Sequence, residues 1–127
     1  MLTTLITPEQ LAAQLHDPDL VIVDCRFELL KPDWGRQDYQ RAHVPGAVFA
    51  DLNQDLSAPI SPTSGRHPLP QPEAFCQAMS RMGIDSSKQV VVMDTVAGAF
   101  AARLWWLLRT YGHTAVAVLE GGFSRWE

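Results

Sequence analysis

Residues 89–109 of the chain read QVVVMDTVAGAFAARLWWLLR. The apolar, mostly β-branched run that ends at Asp94 predicts a strand over residues 90–94, buried on both faces. A short turn at residues 95–98 leads into residues 99–109, whose composition is typical of a helix. Because a buried strand that passes directly into a helix is the repeating unit of a parallel α/β sheet, this stretch decides the expected fold class.

Other apolar runs in the chain resemble this strand. They predict strands over residues 20–24 and 115–119, and a shorter one over residues 47–50. Since helical segments separate these runs, we expect residues 20–24, 90–94 and 115–119 to lie in one parallel sheet with helices on both faces.

Two further helices have recognisable ends. Thr7, Pro8 and Gln10 form a capping-box pattern at the start of a short helix. Residues 72–82 carry apolar side chains at helical spacing, and Gly83 is placed to end that helix. By contrast, residues 28–46 are mostly polar and predict irregular structure. Residues 51–72 contain five prolines, which predicts a long loop without a central strand.

The composition limits the possible functions. The 127 residues are enough for one domain, and 46% of them are hydrophobic, so a core can form. Ten basic and 14 acidic residues give a net charge of −4, which argues against binding to nucleic acid or to acidic membranes. No apolar run approaches the roughly 20 residues that span a bilayer. Two cysteines are too few for a disulfide framework or a zinc site, so we expect a reducing, cytoplasmic setting and no metal or other cofactor.

Ligands of an open parallel sheet bind beyond the carboxyl ends of its strands. The most informative of these ends is the one at Asp94, because the first amides of the following helix would point into the turn and form an anion cradle. A cysteine there would become a stabilised thiolate, but no cysteine lies in residues 77–127. We expect the Asp94 carboxylate to accept these amides itself, as a helix cap does. The alternative is that Asp94 acts as a catalytic acid or base.

Four segments together resemble one known family. They are Asp24-Cys25-Arg26, Ala42-His43-Val44-Pro45-Gly46-Ala47, the strand, turn and helix from Val90 to Trp106, and Leu119-Glu120-Gly121-Gly122-Phe123-Ser124-Arg125-Trp126. The chain is similar to the rhodanese domains of thiosulfate and 3-mercaptopyruvate sulfurtransferases. The resemblance implies a five-stranded parallel sheet with flanking helices. It also implies two tandem domains, of which only the second usually carries the persulfide-forming cysteine.

The match is closer to the first domain of such enzymes, because Ala102-Arg103-Leu104-Trp105-Trp106 follows an aspartate. The catalytic pattern of the family is a cysteine, two residues and a glycine, whereas this chain has Asp94, then Ala97 at that spacing, then Gly98. The resemblance therefore implies that residues 1–127 are one rhodanese-like domain, a fragment of a longer protein. This domain would be inactive alone and would be partnered by a C-terminal catalytic domain.

Several residues receive individual expectations. The resemblance implies that His43 is a structural histidine that hydrogen-bonds neighbouring loops, and that Arg103 belongs to the structural motif. Asp24 and Arg26 are interpreted as a pair that organises a loop. Cys25 follows a strand end, so it is either a small buried residue or a thiol near the mouth of the site.

The segment Arg66-His67-Pro68-Leu69-Pro70 is the main functional candidate. Similar segments occur in mercaptopyruvate-type enzymes, where this loop of the first domain approaches the site of the second. The resemblance implies that His67 or Arg66 contacts a small anionic sulfur donor at the interface. Asn53 and Asp55 are candidates to orient His67. The alternative is an ordinary exposed loop.

Three functions compete at this point. The first is the accessory half of a sulfurtransferase. The second is a stand-alone rhodanese-like binding or regulatory module. The third is a phosphatase on the same fold, which the aspartate at the nucleophile position disfavours because phosphatases of this fold need a cysteine there.

Overall fold

The computed structural model describes residues 2–28, 30–31, 33–61, 63, 65, 67–95 and 98–126. In chain order the elements are β1 (Leu5–Ile6), α1 (Pro8–Gln14), β2 (Leu20–Asp24), α2 (Trp34–Arg41), β3 (Val48–Phe49), α3 (Pro72–Arg81), β4 (Gln89–Met93), α4 (Ala99–Thr110), β5 (Val116–Leu119) and α5 (Gly122–Trp126). None of the described helices is long and apolar enough to cross a bilayer.

The five strands form one parallel sheet in the order β1-β5-β4-β2-β3. Strand β4 lies at its centre, where Val91 pairs with Ile22 of β2 on one side and with Ala117 of β5 on the other. The predicted strands over residues 20–24, 90–94 and 115–119 are therefore confirmed as neighbours in one parallel sheet. The expected α/β class with five parallel strands is confirmed as well.

Helices cover both faces of the sheet, because side chains of β4 alternate between two cores. Val90 and Val92 join one core, to which α3 contributes Phe75 and α4 contributes Leu104. Val91 and Met93 join the other core. The second core also receives Leu11 of α1 and Phe123 of α5, with Tyr39 of α2 packed against it. A strand with apolar residues on both faces is the continuous apolar run that the sequence displays.

Most helix ends agree with the sequence. Thr7 caps α1, since its Oγ1 accepts the Gln10 amide at 3.1 Å and its own amide donates to Gln10 Oε1 at 2.9 Å. The helix predicted over residues 72–82 is confirmed as Pro72–Arg81. The short strand expected over residues 47–50 is present, but it covers only Val48 and Phe49.

The expectation that residues 28–46 are irregular is wrong, because Trp34–Arg41 form the helix α2. Of its residues only Gly35 is buried, so the helix lacks the apolar stripe that would reveal it in the sequence. Contacts distant in sequence hold it instead, including an ion pair between Asp38 and Arg26. The two-residue strand β1 was also not predicted, because two residues are too short to show a period.

Gly35 determines how closely α2 approaches the end of β2. A Cβ atom on this residue would overlap the carbonyl oxygen of Arg26, which is rigid backbone. We expect Gly35→Ala to lower the free energy of unfolding by about 1–3 kcal/mol, as overpacking does. Chemical denaturation followed by circular dichroism measures this change. Gly65→Ala is the matched control, since a Cβ there meets no atom within 4 Å. Equal stability of the two variants would contradict the close approach of α2.

Candidate functional site

The turn after β4 is occupied by the side chain that precedes it. Asp94 is 1% exposed. Its Oδ1 accepts the amide of Gly98 at 2.9 Å, and its Oδ2 accepts the amides of Phe100 and Ala101 at 2.8 and 2.7 Å. The carboxylate thus caps the first turn of α4, and the predicted hydrogen bonds to the loop amides are confirmed. Ala97, which the sequence comparison also used, lies outside the described residues.

This arrangement limits what the turn can do chemically. Amides that converge at the start of a helix would bind an external anion, but here both oxygens of an internal anion accept them. A carboxylate cannot carry a persulfide. The inward orientation also argues against the alternative of a catalytic acid or base, which needs access to a substrate proton.

The Gly-Gly segment after β5 packs directly on Asp94. The Phe123 amide donates to the Asp94 carbonyl oxygen at 3.0 Å, and a Cβ on Gly122 would overlap that oxygen. Gly122 also has φ +63°, which side-chain-bearing residues rarely adopt. The ends of β4 and β5 are therefore joined tightly at the turn.

Arg26 is fully buried and connects several elements at the same edge of the sheet. Its Nη2 lies 2.7 Å from Oδ2 of Asp24 and donates to the Ala42 carbonyl at 2.6 Å. Its Nη1 lies 2.8 Å from Oδ2 of Asp38. The guanidinium also stacks 4.2 Å from the centre of the Phe123 ring. All three of its nitrogens donate to protein acceptors, so the role of Arg26 is structural.

Asp38 of α2 has a lowered pKa. Burial alone would raise it, but hydrogen bonds from Arg41 and Arg26 and their charges outweigh burial and hold it below the ordinary value of 3.8. Because the pKa is depressed in the folded chain, the stabilisation from this group is present above the unfolded pKa. It is lost as pH falls through the folded pKa.

Cys25 lies at the end of β2 but inside the core. It is 1% exposed and belongs to the first core. Burial raises the pKa of its thiol well above 9.0, and the carboxylates of Asp24 and Asp94 raise it further. A thiol of this kind stays protonated and inert. Of the two alternatives for Cys25, the geometry agrees with the small buried residue.

His67 is linked to the first turn of α4 through Phe27. Its Nε2 is 3.0 Å from Oδ1 of Asn53, and its ring lies edge-on to that of Phe27 with the ring centres 6.0 Å apart. The ring of Phe27 in turn packs against that of Phe100, in the first turn of α4, with the ring centres 5.4 Å apart. Asn53 therefore orients His67, whereas Asp55, the other candidate, accepts the Asp51 amide and faces Arg81. Arg66 lies outside the described residues.

Arg103 of α4 anchors the proline-rich loop. Its Nε donates to the Leu56 carbonyl at 3.0 Å, and its Nη2 donates to the carbonyls of His67 at 2.9 Å and Pro68 at 3.3 Å. Burial lowers the pKa of Arg103. One side chain thus fixes both ends of the segment that carries His67.

His43 contacts α2. Its Nδ1 is 2.8 Å from the carbonyl oxygen of Tyr39, and the two rings stack 4.0 Å apart. The Tyr39 hydroxyl donates to the Ala47 carbonyl. These contacts join α2 to the turn before β3. Across the described residues, no group of three or more His, Cys, Asp or Glu is arranged to hold a metal ion.

Comparison with known protein families gives a match to the rhodanese-like domain over residues 7–127. The chain belongs to the rhodanese family. It is 48% identical over 125 residues to a probable 3-mercaptopyruvate sulfurtransferase of Pseudomonas aeruginosa, covering 97% of this chain and 44% of that protein.

Two solved structures extend the comparison. A 3-mercaptopyruvate sulfurtransferase from Leishmania major matches with a TM-score of 0.87 and 34% identity, over 97% of this chain and 33% of that one. A 3-mercaptopyruvate sulfotransferase from Escherichia coli matches with a TM-score of 0.85 and 37% identity, over 98% of this chain and 47% of that one. This rhodanese domain therefore spans half or less of the length of these relatives.

Sequence reasoning missed two contributors to the site of the rhodanese domain. Asp38, the second partner of Arg26, was missed because α2 was not predicted. Phe27, which links His67 to α4, follows Arg26 directly and carries no pattern of its own. The sequence offered one signal for Asp38, which is an acidic residue in a polar segment twelve positions after Arg26.

We expect Asp94→Ala to lower the free energy of unfolding by about 1–3 kcal/mol, because buried amides lose their acceptor. Denaturant titration measures the loss. Asp17→Ala is the control, since Asp17 accepts one exposed amide, that of Asp19 at 2.8 Å, and its loss should cost less. If both variants lose the same stability, the Asp94 carboxylate is not the principal cap of α4.

Proposed function

We propose that this rhodanese domain is the N-terminal, non-catalytic domain of a sulfurtransferase, and that a C-terminal rhodanese domain of the same protein carries the persulfide-forming cysteine. The observation that carries the proposal is the Asp94 carboxylate bonded to the amides of its own turn. The burial of Cys25 also supports the proposal, because a buried, protonated thiol at the end of β2 does not replace the cysteine that the turn after β4 lacks. The proteins similar to this chain, which are about twice as long or longer, also support it.

In the proposed enzyme, the thiolate of the second domain takes the transferable sulfur of its donor and becomes a persulfide. The remainder of the donor leaves as sulfite when the donor is thiosulfate and as pyruvate when it is 3-mercaptopyruvate. Cyanide or another thiol then removes that sulfur and regenerates the thiolate. The donor is a small anion, either thiosulfate or 3-mercaptopyruvate, and the names of the relatives favour 3-mercaptopyruvate. Residues 1–127 form the single domain that supplies one wall of the substrate cleft.

His67 and Arg66 are the residues that we assign to this wall. His67 is held at its ring by Asn53 and at its carbonyl by Arg103, so little conformational freedom is lost when a donor binds. The guanidinium of Arg66 donates hydrogen bonds to the oxygens of an anionic donor. His67, whose Nε2–H faces the Asn53 oxygen, donates through Nδ1 in its protonated form. The elements that support these two residues are held together by Asp24, Arg26, His43 and Arg103.

We place the protein in the cytoplasm. Both cysteines, Cys25 and Cys76, are free thiols, in keeping with a reducing compartment.

The isolated 127-residue chain should not transfer sulfur from thiosulfate to cyanide. The reason is that Asp94 occupies the nucleophile position and the Cys25 thiol is buried. The measurement is thiocyanate formation, with Cys25→Ser as the control. Turnover in the wild-type chain that disappears in Cys25→Ser would identify Cys25 as a nucleophile and overturn the proposal.

The intact mass of the natural gene product tests the tandem arrangement. A mass near twice that of this chain agrees with the proposal, whereas a mass of a single domain favours a stand-alone binding or regulatory module.

In the two-domain protein we expect His67→Ala to raise KM for 3-mercaptopyruvate by about tenfold, because the variant loses a hydrogen bond to a charged group. His16→Ala is the matched control, because His16 is exposed and precedes β2, at the opposite edge of the sheet. An unchanged KM in His67→Ala would remove His67 from the cleft.

A further inference from the structure

Helix α4 carries apolar side chains on both of its sides. Its inner side packs into the first core through Leu104 and Leu108. Its outer side exposes Ala99, Ala102 and Trp106, which share one face because they are spaced by three and four residues. A helix that is apolar all round is typical of a helix buried on both sides, so this composition indicates that α4 packs against a second surface.

Helix α3 packs on the same face of the sheet and has the ordinary polar outer side. Phe75 and Met79 enter the first core, whereas Glu73, Gln77 and Arg81 are exposed. The place of α4 in the fold therefore does not account for its apolar outer side.

The two adjacent tryptophans of α4 have different environments. Nε1 of Trp105 donates to the Thr3 carbonyl at 3.0 Å, and the Arg109 guanidinium lies 4.9 Å from the centre of the Trp105 ring. Trp105 thus packs within its own domain, whereas Trp106 is 47% exposed. Tryptophan is among the residues that contribute most to the energetic centres of protein interfaces.

The proline-rich loop widens the exposed apolar surface of α4. Nη2 of Arg103 donates to the Pro68 carbonyl at 3.3 Å, and the Tyr111 hydroxyl donates to the Pro70 carbonyl at 3.3 Å. Leu69 lies between these two anchors, so it is placed beside the middle of α4, and it is 54% exposed. The α4 face consists of the exposed apolar side chains of Ala99, Ala102, Trp106 and Leu69.

The α4 face belongs to a part of the chain that has no acidic residues. Residues 56–72 and 95–119, which include the loop and the helix, contain no Asp or Glu, although the chain has 14 acidic residues and a net charge of −4. Arg103 and Arg109 stand three residues before and after Trp106. A second copy packed symmetrically on this face would bring like charges together, whereas a surface with acidic residues at its rim would be attracted.

The α4 face is continuous with the proposed substrate cleft. Ala99 follows Gly98, whose amide binds Asp94, and Leu69 follows His67 by two residues. The similar proteins from Pseudomonas aeruginosa and Escherichia coli are about twice as long as this chain, which leaves enough residues for another domain. A domain seated on the α4 face would close the cleft beside His67.

We propose that the α4 face is the surface on which the C-terminal rhodanese domain of the same protein packs, and that this domain brings an apolar centre over Trp106 and acidic residues opposite Arg109. This inference rests on the two-domain arrangement of the proposed function. It adds where the two domains meet and what chemistry the second domain presents there.

Hydroxyl-radical footprinting with mass spectrometry tests the position of the interface in the two-domain protein and in the 127-residue chain. The modification rates of Trp106 and Leu69 should fall by about fivefold or more in the two-domain protein, because the centre of an interface excludes water. Leu5 is the control, since it is 56% exposed on β1 and should be modified equally in both proteins.

An unchanged rate at Trp106 in the two-domain protein would overturn the inference. The proposed function would still stand if that protein transfers sulfur from its donor. Protection of Trp106 that appears in the 127-residue chain as its concentration rises would assign the α4 face to a second copy and would also overturn the inference.

The variant Trp106→Glu tests the apolar centre. In the 127-residue chain it should leave the denaturation midpoint unchanged, because the side chain is exposed. In the two-domain protein it should restore the modification rate of Leu69 to that of the 127-residue chain. Gln77→Glu is the matched control, since it adds the same charge to the outer side of α3 and should leave Leu69 protected. Full protection of Leu69 in Trp106→Glu would contradict packing over Trp106.

Two variants of Arg109 test the acidic rim in the two-domain protein. Arg109→Glu should lower the protection of Leu69, because it places like charges together. Arg109→Lys should keep the protection, because it retains the positive charge beside Trp105. Equal protection of Leu69 in the two variants would exclude acidic residues opposite Arg109.

Discussion

The frame of this rhodanese domain depends on the burial of one guanidinium group. Burying a charge is unfavourable unless the charge is paired and hydrogen-bonded, and Arg26 meets both conditions through Asp24, Asp38 and the Ala42 carbonyl. Such a pair contributes little net stability compared with apolar packing, but the loss of one partner costs about 3–5 kcal/mol. Its effect is to specify an arrangement, because the end of β2, helix α2 and α5 meet the same group. Helix α2, which has little apolar surface, is thereby fixed in place.

Asp24 and Asp94 are both buried at the carboxyl edge of the sheet, and each has a different partner. Asp24 is paired with Arg26, and Asp94 accepts backbone amides. Burial raises the pKa of the Cys25 thiol, and both carboxylates raise it further, whereas a catalytic thiol needs a lowered pKa.

The sequence predicts the parts of the fold that depend on local chemistry. The runs that became β2, β4 and β5, the capping box at Thr7 and the Asp94 cap are visible because each feature involves residues close together in the chain. Helix α2 was not visible, since a contact twelve residues away holds it. The choice of Asn53 over Asp55 as the partner of His67 needs the path of the loop, and so does the placement of Leu69 beside α4.

The position of His67 follows from the cap at Asp94. The carboxylate fixes the first turn of α4 through the amides of Phe100 and Ala101. Phe100 then supports Phe27, whose ring lies against His67, while Arg103 on the same helix holds the carbonyls of the proline-rich loop. Asp94 therefore has a structural effect on the loop that carries His67. It orders the helix that anchors the loop through Arg103, so the wall proposed for the substrate cleft depends on a buried aspartate.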